Sequence, residues 1–428
     1  MIPLTDNPAQ SLDQDWFGFD PYVRELHAAV LAAEPLPLTV GVFGSWGTGK
    51  SSFLQMWRHL LDGVPGTRTV WFNPWKYDRK VEVWAALLHT ILAEIEQNEG
   101  LKDRAGRLAR AATWLSLRAG LGHAASLATA GIIGREDIDA LLDTFSAEDA
   151  EEYRRVNGFE HEFADAVEQF VGPEGRLVIF IDDLDRCTPE AAVTVLESLK
   201  LFLGQARCVF VLALDVDVLA AVATNKFGAE LRGAPQEAVS GMAYLEKIVQ
   251  LPFFLPDIGF PSLRAALASH VGDLGGSDAF WDLVRIGLGT NPRRVKRYVN
   301  VLNLAAAVHQ RIHGDDGARR RLQLAELLII RSEHRAFFHT LTRQPDAWRL
   351  LEVTVEQIMQ RPAGRDLALA QLPPYLASFS RDEALLRLLE TCPGAYNDHP
   401  PAPEGHEVVQ MISTLRVASG PLLPGDGE

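Results

Sequence analysis

Residues 41–52 read GVFGSWGTGKSS. From Gly44 to Ser51 the run has the form G-x-x-x-x-G-K-[ST], at a point where a short apolar strand gives way to a helix. Leu38, Val40, Val42 and Phe43 supply the strand, and Phe53, Leu54, Trp57 and Leu60 fall at helical spacing between Ser52 and Leu61. Gly44, Gly47 and Gly49 let the intervening backbone curl until successive N–H groups converge on one anion. The helix adds the partial positive charge of its N-terminus at the same point. Lys50 is then the candidate to reach the β- and γ-phosphates, and the Ser51 hydroxyl the candidate ligand for Mg2+. The expected nucleotide contacts are Gly44, Ser45, Trp46, Gly47, Thr48, Gly49, Lys50, Ser51 and Ser52. A plain glycine-rich turn would not need the strand before it and the helix after it, so the pattern points to a nucleoside triphosphate.

Such a loop needs a carboxylate-bearing strand beside it, because Mg2+ takes hard oxygen ligands and the attacking water must be positioned. Residues 177–186, LVIFIDDLDR, supply one. Leu177 to Ile181 read as a strand buried on both faces, with acidic residues at its C-terminal end, where open α/β sheets bind ligands. Asp182 is the expected Mg2+-side carboxylate and Asp183 the candidate to orient or deprotonate the lytic water. Asp185 could share either task, and Arg186 could contact phosphate in this subunit or a neighbouring one. The same run also reads as an acidic strand-to-helix turn with Thr188 as cap and Pro189 at N1, and both readings can hold together. A third strand, CVFVLAL at 208–214, ends at Asp215, which either senses the γ-phosphate or caps the next helix.

The chain has 428 residues, 47 % of them apolar and 23 % charged, which is the profile of an ordinary globular protein with room for more than one domain. A formal net charge of −15 argues against a chain whose main business is coating nucleic acid, though not against a local basic patch. Cys187, Cys208 and Cys392 are too few and too scattered for a disulfide framework or a zinc site, which suits a reducing cytoplasm. The N-terminal MIPLTDNPAQSLDQDW lacks the basic and apolar regions of a secretory signal.

With these strands in place, the chain resembles the KAP family of P-loop NTPases, in the ASCE group near the STAND and AAA+ proteins. The resemblance rests on WGTGKSSFL at 46–54, FNPWKYD at 72–78, WAALLHTIL at 84–92, IDDLDRC at 181–187, YLEKIVQLPFFLP at 244–256 and NPRRVKRYVN at 291–300. It implies an α/β fold, a parallel sheet sandwiched by helices, with a Walker A loop after the first core strand and a Walker B strand carrying the aspartates. It implies ATP and Mg2+ as ligands, a helical insertion at about 97–170 within a domain spanning 13–256, a helical lid at 257–313, and a C-terminal helical region at 314–428 with a Pro/Gly-rich tail. Arg293 and Arg294 resemble the lid arginine of related NTPases, a γ-phosphate contact. Four cations, Arg293, Arg294, Lys296 and Arg297, crowd the start of a helix opened by Asn291-Pro292, against the macrodipole. An anion facing them would explain this, and a solvated basic face or a nucleic-acid patch is the alternative. Trp75 and Tyr77 are expected to pack against Trp46 or the next helix.

Relatives of this kind often carry transmembrane helices between the two nucleotide motifs. Residues 111–134 have the length for one, but Arg118 and His123 lie near its centre, and an arginine there costs about 2.5–3.5 kcal/mol. A helical hairpin packed through small residues is the better reading, with Arg104, Arg107 and Arg110 leaving peripheral membrane association open. Residues 319–341 read as one or two amphipathic helices and 346–392 as a further bundle, with no nuclease, protease or deaminase motif. The expected function is a Mg-ATP-driven switch or assembly factor with a protein partner or a second copy. The family resemblance alone points to bacterial antiphage defence as the setting. A nucleic-acid-dependent motor and a scaffold without turnover are the alternatives.

Overall fold

The computed structural model describes residues 3–77, 83–119, 156–188, 191–192, 195–196, 199, 206–215, 248–314 and 317–419. The chain divides into two compact units, Pro8–Pro256 and, together, Met1–Asn7 with Asp257–Glu428.

The first unit is built on β1 (Leu38–Phe43), β2 (Thr67–Phe72), β3 (Arg176–Ile181), β4 (Cys208–Leu214) and β5 (Leu251–Phe254). These described strands pair in parallel throughout, in the order β2-β3-β4-β1-β5. The register sets Val40 beside Val211 and Leu251, and Ile179 beside Val70 and Phe210. β3 and β4 are apolar almost without interruption because helices cover both of their faces, and every residue of both is buried. The helices are α1 (Asp20–Ala32), α2 (Lys50–Leu61), α3 (Val83–Glu96), α4 (Lys102–Ala119) and α5 (Val156–Val171). Leu177, Ile179 and Ile181 pack into one core with Leu88, Ile91, Leu108 and Phe163 of α3, α4 and α5. On the opposite face Phe180 meets Trp57 of α2 edge-on at 5.8 Å and stacks on Trp71 at 5.7 Å. Phe53 of α2 stacks on Phe253 of β5 at 5.3 Å.

One local expectation is corrected. Trp75 does not pack into the core but is 53 % exposed, and Tyr77 stacks on Phe72 at 5.6 Å rather than on Trp46. The cause is Asn73, whose side chain accepts the Trp75 N–H and turns the chain sharply as it leaves β2. Arg104 and Arg107 pair with Glu162 and Asp165 of α5. Residues 120–134 of the proposed hairpin lie outside the described residues, and no described helix is long and apolar enough to cross a membrane. Cys187, Cys208 and Cys392 are buried and none is in a disulfide among the described residues.

The described residues of the second unit are helical: α6 (Phe260–Leu267), α7 (Asp278–Leu288), α8 (Pro292–His313), α9 (Gly317–Glu333), α10 (Arg335–Arg343), α11 (Ala347–Gln360), α12 (Arg365–Ala370), α13 (Glu383–Leu389) and α14 (Gly405–Ser419). α8 starts at Pro292 with the Asn291 side chain accepting the Arg294 N–H. α9 is buried from Leu322 to Arg331 and forms the centre of this bundle. Its Glu326 lies 3.4 Å from Nε2 of His399, and nearby Glu352 of α11 accepts the Ala402 N–H at 3.0 Å. These three side chains are almost wholly buried. Burial first, and then the Glu326 charge, pushes Glu352 up to about 8. Burial pulls His399 down, but Glu326 and Glu352 outweigh it and hold the ring above its ordinary value.

Candidate functional site

The loop after β1 begins where the Gly44 N–H donates to the Leu214 carbonyl at 3.2 Å. It therefore leaves the sheet beside the tip of β4, where Asp215 is buried. Two of its residues need a left-handed backbone, Gly47 at φ +85° and Gly49 at φ +106°. At Gly49 a side chain would also meet the Phe19 ring, 2.9 Å from an added Cβ. The Thr48 hydroxyl closes the loop by donating to the Ser45 carbonyl at 2.8 Å. α2 follows at once, starting at Lys50. The Ser52 hydroxyl accepts the Ala9 N–H at 3.1 Å, and Trp46 is exposed.

Lys50 folds back over its own loop. Its Nζ donates to the carbonyls of Gly44 at 2.7 Å and Ser45 at 3.3 Å, and pairs with Asp185 Oδ2 at 3.1 Å. Both side chains of the pair are more than nine-tenths buried. A charge that deep is tolerated because it is paired and hydrogen-bonded.

β3 delivers the other half. Asp182 extends the ladder by donating its N–H to the Phe72 carbonyl at 3.1 Å, and its carboxylate accepts the Asp183 N–H at 2.9 Å. Burial first, and the neighbouring Asp183 charge second, push its carboxyl up to about 6, against the opposing pull of the Ser51 hydroxyl. Asp183 turns the chain at φ +59°, the sole positive φ at a non-glycine position among the described residues. Its Oδ2 accepts the Asn73 amide at 2.8 Å and its Oδ1 lies 2.6 Å from Arg186 Nε. The Arg186 guanidinium lies over the Trp75 ring, 5.7 Å from its centre. Beyond the turn the Thr188 hydroxyl accepts the Ala191 N–H at 3.4 Å.

The sheet thus brings Lys50 and Ser51 to Asp185 and Asp182, with Asp215 alongside the start of the loop. Asp183 and Arg186 are joined to each other. Arg293 and Arg294 lie in the second unit, where Arg293 pairs with Asp6 at 3.5 Å, as does Arg297 at 3.2 Å, and Arg294 pairs with Glu333. The anion facing that basic turn is a pair of the unit's own carboxylates. Asn73 is a site residue that the sequence does not reveal, because only the pairing of β2 with β3 brings it to Asp183. Ser51 and Asp182 carry the hard oxygens that a divalent cation such as Mg2+ takes. Among the described residues no group of three or more His, Cys, Asp or Glu could hold a metal alone. A cation at Ser51 and Asp182 would complete its shell with phosphate and water oxygens, as Mg2+ does.

A family model of the KAP family P-loop domain matches residues 19–308. Over 117 residues the chain is 26 % identical to the kinase D-interacting substrate of 220 kDa from Rattus norvegicus, an alignment covering 27 % of this chain and 6 % of that protein. The Homo sapiens counterpart matches to the same extent, so the match spans a small part of either relative. Among solved structures, the Aeropyrum pernix ORC2 protein, determined in ADPNP and ADP complexes, is 12 % identical, with 96 % of each chain covered and a TM-score of 0.37. A Walker-type ATPase of Pyrococcus abyssi is 14 % identical, with 96 % of this chain and 98 % of that one covered and a TM-score of 0.31.

Proposed function

This chain belongs to the KAP family of P-loop NTPases, and from that premise we propose that it binds Mg-ATP, hydrolyses it, and uses the cycle as a switch or assembly factor. One observation carries the reading: the buried Lys50–Asp185 pair crosses at 3.1 Å between the loop and the turn that follows β3. In this reading Lys50 exchanges the Asp185 carboxylate for the β- and γ-phosphate oxygens, and the loop N–H groups cradle the same anion. Bound Mg2+ would be held by Ser51 and Asp182 and would neutralise charge on the β- and γ-oxygens. Asp183 takes a proton from water as the water oxygen bonds to the γ-phosphorus and the β–γ bridging oxygen leaves with ADP. Asp215 is the proposed reporter of the γ-phosphate. Arg293 or Arg294 can serve as the lid arginine only by giving up its carboxylate partner.

Phosphate release and ATP binding test this directly. Lys50→Ala removes ATP binding, and Asp183→Asn lowers turnover by about 10²-fold or more while ATP still binds. Equal phosphate release from wild type and Asp183→Asn would remove the hydrolytic reading, and full ATP affinity in Lys50→Ala would remove the site. The motor alternative loses its main support because Arg293, Arg294 and Arg297 already face Asp6 and Glu333. An ATPase rate stimulated by DNA or RNA in a salt-dependent way would restore it. The proposed partner is another protein or a second copy, sought as an ATP-dependent rise in mass. The defence role is tested by phage challenge of cells carrying wild type or Lys50→Ala.

A further inference from the structure

Asp183 is held by a closed ring of four residues drawn from two distant runs of sequence. The Asn73 amide donates to Oδ2 at 2.8 Å, and Arg186 Nε meets Oδ1 at 2.6 Å. The Asn73 side-chain oxygen is itself occupied by the Trp75 N–H at 3.1 Å, which leaves the amide nitrogen to face Asp183. Arg186 rests on the Trp75 ring, so the chain of contacts returns to the turn from which it began. The backbone at Asp183 is equally determined. Its carbonyl accepts the Arg186 N–H at 3.1 Å and the Cys187 thiol at 3.8 Å, and its N–H is tied to Asp182. A non-glycine residue keeps a left-handed φ only where its surroundings over-determine it, and such places gather at functional sites.

We propose that Asn73 and Arg186 are positioning residues for Asp183, and that Trp75 positions Arg186 in turn. The proposal rests on the hydrolytic reading above and deepens it. A carboxylate has about four acceptor sites, so one hydrogen bond and one ion pair fix the plane of the group and still leave room for a water. One partner on each oxygen, from different elements, prevents the rotation that a single partner would allow. A base held by a third group is the arrangement that activates nucleophiles generally, and a misplacement of about 1 Å can cost 10²-fold in rate. The aromatic face holds the guanidinium beside Asp183 without competing for its N–H donors.

The test is a kinetic double-mutant cycle on the full chain, read as phosphate release at saturating ATP together with ATP affinity. Asn73→Ala and Arg186→Ala each lower kcat by roughly tenfold to 10²-fold with ATP affinity within about twofold of wild type. Trp75→Ala lowers kcat in the same way, and Trp75→Phe, which keeps a ring face, recovers most of that loss. In an Asp183→Asn background Asn73→Ala has no further effect, because the two act as a unit. If Asn73→Ala costs as much in that background as alone, or raises KM with kcat unchanged, the ring is scaffolding and the inference is wrong. If Asp183→Asn is slow while Asn73→Ala and Arg186→Ala match wild type, the inference fails and the hydrolytic reading stands. If Asp183→Asn matches wild type, both fall.

Discussion

Lys50 serves two charges that cannot hold it at once. In the structure its ammonium is shared between Asp185 and two loop carbonyls, whereas nucleotide binding requires it to face phosphate. Removing one partner of a buried pair is costly because the other charge is left behind. Asp185→Asn is therefore expected to destabilise the protein by about 3 kcal/mol in the absence of nucleotide. ATP supplies the missing negative charge, so the rise in melting temperature on adding ATP should be larger in Asp185→Asn than in wild type. A rise no larger than the wild-type one would mean that Asp185 does not hold Lys50 in competition with phosphate.

Single elements show how far the sequence could be read. β1, β3 and β4 were legible because a strand covered on both faces must be apolar throughout, and few other segments are. The loop and the Asp182–Asp183 turn were legible because their chemistry is local: glycines, a lysine and acidic residues at the ends of those strands. Asn73 was not, since its partner Asp183 is 110 residues away and only the register of β2 with β3 brings them level. The turn of α8 is intermediate. Its cap, Asn291, could be read from the pattern, but the carboxylates that answer its arginines sit at Asp6 and Glu333, far off in the chain. Replacing Asn291 with Ala should cost about 1 kcal/mol in the first turn of α8, seen as roughly fivefold faster amide exchange at Arg294. Unchanged exchange there would show that Pro292 and the ion pairs hold the turn without the cap.

At the scale of the whole molecule, buried acid makes stability depend on pH. Glu352 titrates near 8 when folded, well above the ordinary 4.5, so between these values the folded chain binds more protons than the unfolded one. Stability therefore falls as pH rises through that window. His399, held above its ordinary value, adds to the same trend, because the benefit of its charged form is lost as it deprotonates. The groups around them are Tyr298, Glu326, Glu356 and the Pro400 carbonyl. Melting of the second unit should thus move to lower temperature from about pH 5 to pH 8, a change of a few kcal/mol at most. Glu352→Gln should flatten that slope, and an unaltered slope would place the titrating group elsewhere. The strand order has a different consequence, one of timing. β1 lies between β4 and β5, and Val40 meets its partner Leu251 across about 200 residues of chain. At roughly 5–20 residues per second a ribosome needs about 10–40 s to make that partner after β1 emerges. The residues proposed to grip phosphate are thus among the first to be synthesised and among the last to be locked in place.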